Sequence, residues 1–197
     1  MAARRPRTSA RARVGALLLA PGAGSSAQNP CLMAVEAAVA PMPVQRMDFP
    51  YRKAGRKAPD RPPVLLAAVG EEAAALVERA GVAPDRLALG GRSMGGRMCS
   101  MAVAEGLPAA ALVLISYPLH PPGKPDTLRT AHLPQLEVPC LFVHGTRDPF
   151  GTPDELEAAA ATIAAPVTHE WIDGGRHDLK GADTRVAATV AEWLAEL

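Results

Sequence analysis

The sequence predicts an α/β fold, a mostly parallel sheet with helices on both faces. Short apolar runs alternate with longer stretches of helical periodicity, the pattern of strand-helix-strand units whose crossovers cover both sides of a sheet. A chain of 197 residues suits one domain, because that length can enclose a single hydrophobic core. No internal repeat or linker breaks the alternation. The expected organisation is a flexible segment over 1–13 and one domain over 14–197.

The elements follow in order. Val14 to Ala20 reads as a strand. Pro30 to Val39 reads as a helix, with Pro30 in its first turn and Pro41 closing it. Val44 to Phe49 is a candidate second strand, and residues 50–63, PYRKAGRKAPDRPP, carry charge and turn formers without periodicity and predict a surface loop. Val64 to Ala80 places Leu65, Leu66, Val69, Ala73, Leu76 and Val77 at helical spacing and ends at Gly81. Arg86 to Leu89, Ala110 to Ser116, Val138 to Val143 and Val167 to Ile172 are further short strands. Helices are expected over Thr152 to Ile163, where Thr152 and Glu155 offer a capping box, and over Thr184 to Leu197.

Composition excludes several functions. Apolar residues at 48% and charged residues at 21% match ordinary globular usage rather than disorder. A net charge of +1 creates no positive field to gather nucleic acid, and 4% aromatic residues supply no base-stacking platform. No run approaches the length needed to span a bilayer. Cys31, Cys99 and Cys140 are far apart and lack metal-ligand spacing, so reduced thiols in a cytoplasm are expected. Arg4, Arg5, Arg7, Arg11 and Arg13 before VGALLLA imitate a secretory signal. The apolar stretch is short, though, and also reads as a buried strand, and cleavage at Ala27 would delete that strand and its loop.

One stretch carries chemistry. GRSMGGRMC, residues 91–99, follows the apolar run Leu87-Ala88-Leu89 and leads into a helical pattern with Met98, Met101 and Val103. A G-x-S-x-G sequence at a strand-to-helix junction sets its serine on a sharp turn, and the flanking glycines leave room for approaching backbones. Gly91, Ser93 and Gly95 fit the pattern. Ser93 is then a candidate nucleophile at a helix N-terminus, where the Met94 N–H can donate to a developing oxyanion.

A serine hydroxyl needs a base, and the base needs an orienting carboxylate. Strand Val138 to Val143 runs into HGTRDPFG, which carries Asp148, and strand Val167 to Ile172 runs into DGGRHDLKG, which carries His177. Both loops are expected at the carboxyl ends of their strands, the edge that carries Ser93. The competing residues have plainer roles. His144 follows its strand closely and is expected to order a turn, while His169 lies within a strand pattern. His120 and His132 flank a proline-rich loop and are expected to be solvated, with substrate contact as the alternative. Asp173 is expected to shape a turn, and Asp178 is too near His177 in sequence to approach it from another strand. A second oxyanion donor is expected from LLLAPGAGSSAQNP, where Gly22 and Gly24 let the backbone approach a substrate and Ala23 offers an N–H.

Through PGAG, MDFPYR, GGRSMGGRM, SYPLHPPGKPD, HGTRDPFGTPDEL and GGRHDLKG, the chain resembles the small α/β-hydrolase-like proteins related to dienelactone hydrolases. The group it most resembles includes bacterial predicted hydrolases and a subunit of an animal chromatin-acetylating complex. The resemblance covers roughly residues 14–197 and implies an α/β-hydrolase fold without a large cap, with Ser93, Asp148 and His177 as its triad. Pro21 stands where many relatives have histidine, and Ser93 stands where true dienelactone hydrolases use cysteine, which argues against that particular activity.

The resulting expectation is a serine hydrolase acting on a small-molecule acyl substrate: an ester, thioester or lactone. No metal, organic cofactor, nucleic acid or membrane is implied. The loop Tyr117 to Glu137 is the only cover the sequence suggests, and a shallow site follows. Alternatives are a non-catalytic module that binds a protein partner through the same fold, and an acyltransferase using the same three residues.

Overall fold

The computed structural model describes residues 13–197. The expectation of a flexible N-terminal segment lies outside the described residues except for Arg13. Six parallel strands form one sheet in the order β2-β1-β3-β4-β5-β6. They are β1 (Ala16–Ala20), β2 (Val44–Arg46), β3 (Leu87–Arg92), β4 (Ala111–Ile115), β5 (Cys140–Gly145) and β6 (Val167–Ile172). The helices are α1 (Pro30–Ala38), α2 (Pro50–Lys53), α3 (Pro62–Ala80), α4 (Met94–Ala104), α5 (Pro153–Ala160) and α6 (Asp183–Ala195).

β1 and β4 are apolar throughout because both their faces are covered. Leu17 and Leu19 of β1 pack with Leu32 and Val35 of α1 and with Val186 and Val190 of α6. On the opposite face Ala16, Leu18 and Ala20 pack with Leu65, Val69 and Leu76 of α3, Met98 of α4 and Leu156 of α5. Side chains of a strand alternate between faces, so one strand feeds two cores. Local signals fix the ends of the helices. The Asn29 side chain accepts from the Cys31 and Leu32 N–H groups with Pro30 in the first turn, Gly81 ends α3 in the left-handed conformation, and Thr152 with Glu155 closes a reciprocal capping box.

Several boundaries depart from expectation. Residues 50–63 are not all loop: Pro50–Lys53 form one helical turn, held down by the buried Phe49 and Tyr51, and α3 starts at Pro62. β2 stops at Arg46, before Met47 and Phe49 turn into the core. β3 runs past Leu89 through Gly90 and Gly91, because β1 and β4 pair with both glycines. α5 ends at Ala160 rather than Ile163.

After β1 the chain crosses to β2 at the edge, then returns to place β3 on β1's other side. This reversal opens a crevice between the carboxyl ends of β1 and β3, the place where open parallel sheets bind ligands. The loop holding Ala23 and the turn holding Ser93 meet there.

Candidate active site

Ser93 is the residue between β3 and α4, at φ 52° and ψ −119°, a conformation that costs a non-glycine residue of order 1–3 kcal/mol. The turn is held by the Ser93 N–H donating to the Ile115 carbonyl at 2.8 Å and by close packing of its glycines on β1. A Cβ at Gly95 would overlap the Ala20 and Pro21 carbonyls, and one at Gly91 would overlap Ala20. Gly95→Ala is therefore expected to cost about 3 kcal/mol or more by urea unfolding. Gly24→Ala, where a Cβ meets nothing within 4 Å, changes stability by less than about 0.5 kcal/mol. Equal unfolding midpoints for the two variants would contradict this account of the turn.

The structure brings Ser93, His177 and Asp148 together. Ser93 Oγ lies 2.8 Å from His177 Nε2, and His177 Nδ1 lies 2.8 Å from Asp148 Oδ2. Asp148 is 4% exposed, and its Oδ1 accepts the Phe150 N–H at 2.8 Å. An ionised carboxylate only accepts, so His177 Nδ1 carries the proton and Nε2 is left to accept from the Ser93 hydroxyl. Two further contacts hold the imidazole. Phe150 stacks on it with centroids 4.0 Å apart, and Arg92 Nη2 donates to the His177 carbonyl at 2.8 Å.

The other histidines do different work. His144 Nε2 donates to the Gly151 carbonyl at 3.0 Å and so orders the Asp148 loop, and burial lowers its pKa. His169 stacks between Phe142 and Trp171. His120 and His132 are not solvated, which corrects the expectation for that loop. His120 is buried and pairs with the Pro121 carbonyl, because the loop folds back over α5. His132 lies 2.8 Å from Ser100 Oγ, whose own hydroxyl donates to the Arg97 carbonyl at 2.9 Å. Ser100 thus accepts from His132 Nε2, the reverse of the Ser93 arrangement. Burial, then the Arg97 charge, lowers His132 to about 4. With Ser100 fully buried, this second serine-histidine pair ties the cover loop to α4 and presents no nucleophile.

The loop after β1 packs on the Ser93 turn: a Cβ at Gly22 would sit 3.5 Å from Ser93 Cβ. The Tyr51 hydroxyl donates to the Ala23 carbonyl at 2.7 Å, fixing that peptide, and Asp48 Oδ1 accepts the Ala27 N–H at 2.8 Å. Sequence reasoning missed Tyr51 and Asp48, although both belong to the MDFPYR stretch. Beside Ser93 opens a cavity of about 360 Å³ whose wall includes Ala23, Met94, Met98, Pro118 and Phe150. Pro59, Pro62 and Leu65 also line it. The segment entering α3 therefore joins the Tyr117–Glu137 loop as cover, and the expectation of a single covering loop is corrected. A larger hollow of about 620 Å³ between α3 and the end of α4 contains no nucleophile. Among the described residues no group of three or more His, Cys, Asp or Glu is arranged to hold a metal, and no helix is long and apolar enough to cross a membrane. All three cysteines are buried and free.

Residues 13–196 match the family model described as an alpha/beta hydrolase domain. The chain belongs to the alpha/beta hydrolase domain family. Solved structures repeat the hydrolase fold at low sequence identity. A dienelactone hydrolase from Anabaena variabilis is 21% identical with a TM-score of 0.75, over 93% of this chain and 87% of that one. An alpha-beta serine hydrolase homologue from Coxiella burnetii is 14% identical with a TM-score of 0.73, over 92% and 86%. Est1E from Butyrivibrio proteoclasticus is 16% identical with a TM-score of 0.71, over 97% and 90%. Among its described residues this hydrolase-domain protein has the parallel sheet with flanking helices and shows no cap domain.

Proposed function

We propose that this chain is a serine hydrolase that cleaves a small ester, thioester or lactone through an acyl-enzyme on Ser93. The observation that carries the reading is the unbroken hydrogen-bonded line from Ser93 Oγ through both nitrogens of His177 to Asp148, 2.8 Å at each step. In the first half-reaction His177 Nε2 takes the Ser93 proton as Oγ attacks the carbonyl carbon, and a tetrahedral oxyanion forms. The N–H groups of Met94 and Ala23 receive that charge, each such donor being worth about 3–4 kcal/mol in the transition state. The imidazolium then protonates the leaving group as its bond to carbon breaks, leaving an acyl ester on Ser93. Water, deprotonated by the same nitrogen, attacks that ester, and Ser93 recovers its proton. Asp148 holds the tautomer and stabilises the imidazolium throughout. No step calls for a metal or organic cofactor.

Partial exposure of the His177 side chain, 23%, supports hydrolysis, since water can reach the acyl group. A fluorophosphonate probe is expected to label the native protein at one site, with the adduct mapped by peptide mass to residues 92–97. Absence of label, or label on another residue, would remove this reading.

A further inference from the structure

Two arginines, Arg97 and Arg129, line the cavity beside Ser93. Arg97 stands one helical turn after the nucleophile, its N–H donating to the Ser93 carbonyl at 3.1 Å, and it lines the cavity with Arg129. Neither guanidinium forms an ion pair among the described residues, where the side chain of Arg129 reaches only the Pro118 carbonyl at 3.5 Å and Arg97 Nε is buried without a partner. Arg97 also lies in the first turn of α4, where the helix's own field disfavours a cation. Burial and then the Arg97 charge lower the pKa of Arg129, the mark of two like charges in a partly dry place.

The scaffold holds these groups in position. The Arg129 N–H donates to the Leu119 carbonyl at 2.8 Å, and the Arg129 carbonyl accepts from the Tyr117 hydroxyl at 2.7 Å. Below Arg97, the Ser100–His132 pair anchors the same loop. The opposing charge on the wall is Asp60, whose Oδ1 is taken by Arg56 at 2.7 Å and whose Oδ2 is buried without a partner. Because Arg56 offsets Asp60, Arg97 and Arg129 have no counter-ion left on the lining and suit an anionic group on the ligand. The remaining wall is apolar, formed by Pro59, Pro62, Leu65 and Met98.

We propose that this cavity selects substrates bearing a carboxylate a short apolar chain away from the scissile carbonyl, with Arg97 and Arg129 as the carboxylate-binding pair. Guanidinium forks hold carboxylates through paired charge-assisted hydrogen bonds, and an anion between the two relieves their mutual repulsion. The position of the carbonyl rests on the acyl-enzyme reading above. The preferred compounds are then half-esters of straight-chain dicarboxylic acids.

The test compares mono-4-nitrophenyl adipate with its neutral methyl ester. Native protein is expected to favour the acid at least tenfold in kcat/KM after correction for spontaneous hydrolysis. Arg97→Gln and Arg129→Gln are each expected to lower that ratio at least fivefold. A ratio near one in a protein that labels with fluorophosphonate, or a ratio that neither variant moves, overturns the inference and leaves the hydrolase reading standing. A second readout needs no turnover: calorimetric titration of Ser93→Ala with monomethyl adipate, dimethyl adipate and the phosphonate analogue of the monoester. Tenfold tighter binding of the carboxylate than of the neutral diester supports the site even if the protein proves not to be a hydrolase. Equal binding of acid and diester, or preference for the phosphonate, overturns it.

Discussion

Ser93→Ala is expected to lower kcat for 4-nitrophenyl acetate on the order of a millionfold, and His177→Ala to do the same, with the double variant no worse than either alone. The equality is the informative part. A hydroxyl 2.8 Å from His177 Nε2 is a nucleophile only when that nitrogen takes its proton, so removing either group removes the same step. Two residues acting independently would instead multiply their losses. Steady-state kinetics on the three variants, with melting temperatures to show that each is folded, distinguishes the cases. A double variant far slower than both singles would break the pairing proposed for these residues.

Asp148→Asn is expected to have the second large effect, a fall in kcat of about 10⁴-fold without loss of the fold. The geometry dictates the cause. Asp148 Oδ1 accepts the Phe150 N–H, so an amide at this position keeps its oxygen there and turns its NH₂ toward His177 Nδ1. That nitrogen must then accept, and the ring proton moves to Nε2, where it faces Ser93 and blocks proton removal. KM for 4-nitrophenyl acetate changes little, because Asp148 touches no substrate. A variant within tenfold of native kcat would show that the carboxylate does not set the tautomer.

Much of this site was legible in the sequence because its chemistry is punctuated locally. Gly91, Ser93 and Gly95 sit where an apolar strand meets a helical pattern, and Asp148 and His177 each lie a few residues past an apolar run. Parallel strands bring such positions to one edge without further information. What was not legible depends on packing between distant segments. The 50–63 stretch lacks periodicity, yet Phe49 and Tyr51 bury themselves, and the Tyr51 hydroxyl then reaches the Ala23 carbonyl 28 residues away in sequence. His132 looked like a solvated loop residue, since nothing near it in the chain announces Ser100, 32 residues earlier. Arg97 was visible as a residue of the helix after the serine, but its lack of an acidic partner emerged only once the described residues were folded around it.

The strand order has a consequence for how the molecule is made. Ser93, Asp148 and His177 leave the ribosome in that sequence from the ends of β3, β5 and β6, and β6 pairs only with β5 at the margin of the sheet. On the proposed reading, a chain or fragment ending before β6 holds Ser93 but lacks His177, the base that Ser93 needs, and is expected to be unreactive toward a fluorophosphonate probe.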